Sequence, residues 1–150
     1  MKKLIHFVLC VLPLIFNLFY IAPACSADPS ADNDYPSLKS EKNFLTGYPA
    51  LNEDGTMNAV IEIPAGNNAK YEVTKSGEAM EINIKDGKPR LINYLAYQLN
   101  YGMVPQTVLS KKKGGDGDPL DVLVLGPSLP RGSIHKVKVI GAINHRNFIE

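Results

Sequence analysis

The stretch Asp116-Gly117-Asp118-Pro119-Leu120-Asp121-Val122-Leu123-Val124-Leu125 passes from an acidic turn into an unbroken apolar run. Such a run, closed by Gly126-Pro127, suits a strand buried on both faces. Downstream, Pro130-Arg131-Gly132 turns the chain, and Ile134 to Ile140 reads as another strand with Val137 and Val139 inward. Upstream, Asn58-Ala59-Val60-Ile61-Glu62-Ile63 reads as a strand stopped by Pro64-Ala65-Gly66. Lys70-Tyr71-Glu72-Val73 alternates polar and apolar residues, Lys75-Ser76-Gly77-Glu78 supplies a turn, and Met80, Ile82 and Ile84 mark one face of a further strand. Asp86-Gly87 predicts a hairpin. Leu91 to Tyr101 fits neither helical nor strand spacing and reads as short irregular elements, followed by a loop through Gly102, Pro105 and Lys111-Lys112-Lys113-Gly114-Gly115. No segment from Met57 onward has the length and period of a helix. Many short strands between Gly/Pro turns predict a mainly β fold and favour a small barrel.

The 150 residues allow one domain. Residues 1–27 read apart from it: Lys2 and Lys3, an apolar run from Leu4 to Ile21, then Ala22-Pro23-Ala24-Cys25-Ser26-Ala27. This is the order of a secretory signal, with cleavage after Ala24 or Ala27. An uncleaved membrane anchor is the competing reading, and Cys25 leaves a lipid-attachment alternative. Residues 28–56 read as an irregular arm with scattered apolar anchors, and residues 57–150 as the regular domain. Both cysteines, Cys10 and Cys25, lie in or beside the first segment, so the domain has no disulfide to support export. The formal charge of +1 becomes −1 without Lys2 and Lys3, leaving 14 basic against 15 acidic residues, and gives no general reason to expect nucleic acid.

Asp116, Asp118 and Asp121 are the centre of the chemistry. Three carboxylates within six residues repel one another unless protonated, paired or metal-bound. Their hard oxygens select Mg, Mn or Ca. A plain acidic turn is the bland alternative. An EF-hand is excluded because its fifth, sixth and twelfth positions would be Leu120, Asp121 and Pro127. The lysine run before Gly114 is no phosphate-binding P-loop, because no Gly-rich loop ends in Lys-Ser/Thr. Glu62, Lys70, Glu72, Arg90, Asn100 and Tyr101 fall on or beside strands, where they could face one cavity; taken singly, each also fits an ordinary solvated strand face or core edge.

The chain resembles the soluble inorganic pyrophosphatases, a family with a five-stranded OB-type barrel. Asp116-Gly-Asp-Pro-x-Asp121 running into Val122-Leu-Val carries the resemblance, with Val60-Ile-Glu-Ile-Pro64, Lys70-Tyr-Glu72, Asn100-Tyr-Gly102 and Arg90 around it, over Phe44 to Gly141. The resemblance implies Mg2+-dependent hydrolysis of inorganic diphosphate to two phosphates, with Mn2+ a substitute. It makes Asp116 and Asp121 metal ligands, and Asp118 the group that orients or deprotonates the attacking water. Lys70, Arg90 and Tyr101 would bind phosphate oxygens, while Glu62, Glu72 and Asn100 would act as auxiliary groups through metal or water. It also implies a homo-oligomer and, against the signal-like segment, a cytoplasmic protein; a functional signal would make it periplasmic or secreted.

The departures are specific. Gln98 stands where the family tends to have proline, and Ala142 to Glu150 stands where it has an acidic stretch and later a helix over the barrel. Asn147 falls near the first of those aspartates, and Glu150 is the other candidate replacement ligand. The expectation is a C-terminally truncated barrel lacking its helix, with impaired hydrolysis or, as the alternative, a non-catalytic metal- or phosphate-binding fragment. Nucleic-acid binding is disfavoured because the groove candidates are mainly carboxylates. Membrane contact is expected only through an uncleaved N-terminal segment.

Overall fold

A computed structural model describes residues 35–143. Nine strands follow in order: β1 (Leu38–Lys39), β2 (Met57–Ile63), β3 (Tyr71–Val73), β4 (Ala79–Ile82), β5 (Ile84–Lys85), β6 (Lys88–Pro89), β7 (Asn100–Val104), β8 (Leu120–Val124) and β9 (Ile134–Val137). A single 3-10 turn covers Lys111–Lys113. The strands form three antiparallel sheets with orders β1-β4-β3, β8-β7-β2-β9 and β5-β6.

The centre of the four-stranded sheet is β2, whose Asn58 to Ile63 are all buried. Next to it, β7 runs so close that a Cβ at Gly102 would collide with the Val60 carbonyl. The core gathers Phe44, Val60, Ala69, Tyr71, Met80 and Met103, with Leu38, Val73 and Ile134 packed at its margin. The hairpin turn between β5 and β6 places Asp86 and Gly87 at φ 53° and 73°, the left-handed pair that a two-residue turn requires.

The mainly β class holds, but the five-stranded OB-type barrel does not. Barrel closure needs the outermost strands to pair, whereas among the described residues β8 and β9 are each hydrogen-bonded on one side only. Where β3 approaches β2, the Val73 amide donates to the Glu62 carboxylate at 2.8 Å. A side chain thus occupies the junction at which the two sheets could have joined. Other expectations also change. Val122 to Leu125 is not buried on both faces: β8 is a sheet edge, and Leu123 and Leu125 are 49% and 61% exposed. The supposed loop beginning at Gly102 is strand β7 as far as Val104. Val139 lies beyond the end of β9 and is exposed.

Membrane contact finds no support in the structure: among the described residues, no helix is long and apolar enough to cross a membrane. The signal or anchor reading of residues 1–27 lies outside the described residues, as do Asn147 and Glu150.

Candidate active site

The site starts from an irregularity in β2. Ile61 pairs with Gly102 but Ile63 with Tyr101, so Glu62 is the extra residue of a β-bulge. Bulges redirect a side chain out of the regular alternation. Here Glu62 is only 7% exposed, with its carboxylate on the Val73 amide. Burial pushes the Glu62 carboxyl up to about 7. The Val73 hydrogen bond and Lys70 oppose the rise, while Glu72 and Asp121 add to it.

Lys70, just before β3, holds its ammonium 3.3 Å from Glu72 Oε1 and 4.7 Å from the centroid of the Tyr101 ring. The other Glu72 oxygen accepts from Asn83 Nδ2 at 2.7 Å. Tyr101, on β7, packs at a tilt against Tyr97 with centroids 5.3 Å apart. Its phenol is pushed well above the usual tyrosine value, first by burial and then by the Asp121 carboxylate beside it.

The acidic turn is shaped by its own backbone. Asp116 Oδ1 accepts the Asp118 amide at 2.9 Å, and Gly117 adopts φ 91°. The amides of Leu109 and Gly117 donate to the carbonyls of Asp118 and Leu109, each at 2.8 Å. Asp121 sits on β8 opposite Met103 of β7. The Lys75 ammonium pairs with Asp118 Oδ1, which is the main reason that its pKa rises above the ordinary lysine value.

These groups line one cavity of about 520 Å³. Glu62, Lys70, Glu72, Tyr101, Asp116, Asp118 and Asp121 all face it, together with Lys75, which local sequence reading placed in a turn. Its charge was the only available signal. Arg90 and Asn100 are not among the lining residues. Arg90 supports the cavity through backbone, its carbonyl accepting the Lys70 amide at 3.0 Å. Asn100 is fully buried: Oδ1 accepts from Ala65 and Leu129, and Nδ2 donates to the carbonyls of Val124 and Pro127. Its side chain is thereby committed to holding three segments together.

The metal-binding expectation needs correction. The oxygen donors have the right chemistry, but among the described residues no group of three or more His, Cys, Asp or Glu is arranged to hold an ion. Glu62 is engaged by Val73, Asp116 by its turn and Asp118 by Lys75. The chain alone presents scattered carboxylates around a cavity, not a preformed centre.

The inorganic pyrophosphatase family matches residues 59–147. The mitochondrial inorganic pyrophosphatase of Saccharomyces cerevisiae is 38% identical in an alignment that covers 62% of this chain and 36% of the yeast protein. The inorganic pyrophosphatase of Saccharolobus solfataricus is 38% identical over 92 residues, covering 61% of this chain and 48% of the relative. Among solved structures, the type I inorganic pyrophosphatase from P falciparum superposes with a TM-score of 0.58 at 30% identity, covering 65% of this chain and 35% of that one. The apo vacuolar soluble pyrophosphatase of Trypanosoma cruzi, 22% identical, shares the fold with a TM-score of 0.60 over 86% of this chain and 45% of that one. The chain spans between about a third and a half of the length of the curated relatives it matches.

Proposed function

Because the chain belongs to the inorganic pyrophosphatase family, we propose that its cavity binds inorganic diphosphate and hydrolyses the phosphoanhydride bond to give two phosphates. The observation that carries this reading is the convergence of Lys70, Lys75 and the Tyr101 hydroxyl with Asp116, Asp118 and Asp121 on one cavity. The lysines and the phenol supply donors for phosphate oxygens. Asp118, exposed enough to meet solvent, takes a proton from the attacking water once phosphate has drawn Lys75 away. Arg90, next to Lys70 through its backbone, stays in the proposal as a phosphate ligand.

Mg2+, with Mn2+ as a substitute, is the cofactor of this proposal. Mg2+ is held by one or two carboxylates together with substrate phosphates. Asp116 and Asp121 are therefore sufficient as protein ligands without a cage formed in advance. When bound, the ion offsets charge on the phosphate oxygens and lowers the pKa of coordinated water. Glu62 and Glu72 shape the field around Lys70 from within the cavity.

Phosphate release from diphosphate by the full chain, with and without Mg2+, tests the reading. Mg2+-dependent release that falls at least about 100-fold in Asp118→Asn is expected. Release no greater than that of a blank, with diphosphate binding intact by calorimetry, would favour the second reading, binding without turnover. The pairing of Asp118 with Lys75 is the observation on that side.

A further inference from the structure

Arg131 does not line the cavity, and the turn in which it stands gave no reason to single it out. Yet it reaches both strands that meet at Glu62. Its Nε donates to the Glu62 carbonyl at 3.0 Å, and its guanidinium carbon lies 3.8 Å from the centroid of the Tyr71 ring on β3. The extra residue of a bulge is left out of the ladder, so its carbonyl needs another donor. Up to this point the pairing with the β9 arm is backbone in kind: the Ile61 amide donates to the Ser133 carbonyl and the Gly132 amide to the Ile61 carbonyl. Arg131 supplies the next bond with a side chain.

We infer that Arg131 is a positioning residue for Glu62: from behind the bulge it fixes the direction in which the Glu62 carboxylate enters the cavity and meets the Val73 amide. The planar guanidinium suits this task because it stacks on Tyr71 while donating in its own plane, which an ammonium does not reproduce. Tyr71 is held in turn, with its hydroxyl donating to the Pro36 carbonyl at 3.2 Å. Among the described residues Arg131 Nη2 is buried without a partner, so within them the side chain is held by stacking and the single Nε bond and not by a full set of hydrogen bonds. The inference rests on the proposed function only in giving Glu62 a task, and its test requires no turnover.

The test is amide hydrogen exchange in the full chain. Glu62→Ala, which removes the acceptor, sets the exchange rate of a freed Val73 amide. In Arg131→Met and in Arg131→Lys, Val73 exchange should accelerate by about tenfold or more toward that limit, while the Thr74 amide, bonded to the Ala79 carbonyl, stays within about twofold of wild type. Unchanged Val73 exchange would overturn the inference. So would parallel acceleration of Val73 and Thr74, or failure of both variants to fold, since Arg131 would then support the sheet in general. Loss of phosphate release with the selective Val73 response intact would count against the proposed reaction and leave the positioning role standing.

Discussion

Glu62 concentrates the chemistry of the site in one residue, and its proton gives a measurable signature. Burial raises its carboxyl from the ordinary 4.5 to about 7. Between those values the folded protein holds a proton that the unfolded chain has released. This group's contribution to stability is therefore fullest below pH 4.5 and is lost as pH rises through about 7. In urea denaturation, wild type should lose on the order of 2–3 kcal/mol more stability between pH 5 and pH 8 than Glu62→Gln, which keeps an acceptor for Val73 but carries no titrating proton. Equal pH slopes for the two proteins would show that Glu62 ionises normally. The residue was visible in the sequence as a carboxylate among apolar neighbours, Val60-Ile61 and Ile63. Its bulge was not, because a bulge exists only relative to the partner strand. Lys75 and Arg131 were hidden for a similar reason: their partners, Asp118 and Glu62, lie 43 and 69 residues away.

Among the elements, β7 is the one on which fold and site both depend. It carries Tyr101 into the cavity, ties loops together through Asn100 and presses Gly102 against β2. Gly102→Ala should destabilise the chain by about 3 kcal/mol or more, since a methyl meets rigid backbone and not a side chain that can move. Asn100→Ala should cost a similar amount, about 3 kcal/mol, by leaving the amides of Ala65 and Leu129 without their acceptor. Denaturant midpoints check both, and a change below about 1 kcal/mol in either would remove the claim for that position. Local signals foresaw β2 and the β5–β6 hairpin well, because a largely apolar run stopped by Pro64-Ala65-Gly66 and the Asp86-Gly87 turn are both readable within a few residues. They misjudged which strand is covered on both faces. Val122 to Leu125 has the more uniform apolar run, but among the described residues β2 has a neighbour on each side while β8 has β7 alone. Composition records what a strand tolerates; pairing decides what covers it.

At the scale of the whole molecule, the charge of the cavity decides how the proposed substrate would enter. Five carboxyl groups, of which Glu62 keeps its proton up to about pH 7, face two lysines across about 520 Å³. Diphosphate alone is a concentrated anion, and this field repels it unless a cation accompanies it. Thermal unfolding should therefore respond to the combination and not to either component. The experiment is best made in Asp118→Asn, where ligand is not consumed and one competing charge is gone. At a hundredfold excess over its dissociation constant, a ligand specific for the native state adds about 2.7 kcal/mol, which corresponds to a rise in Tm on the order of 10 °C for a domain of this size. Diphosphate with Mg2+ should approach that rise, while diphosphate or Mg2+ alone should give little. Lys70→Met should remove most of the effect, because the ammonium between Glu72 and the Tyr101 ring is the most deeply held cation on the cavity. An equal rise with diphosphate alone would mean that the lysines outweigh the carboxylates and that the ion is not part of recognition. No rise in any combination would remove the cavity from the proposal, whatever the family of the chain.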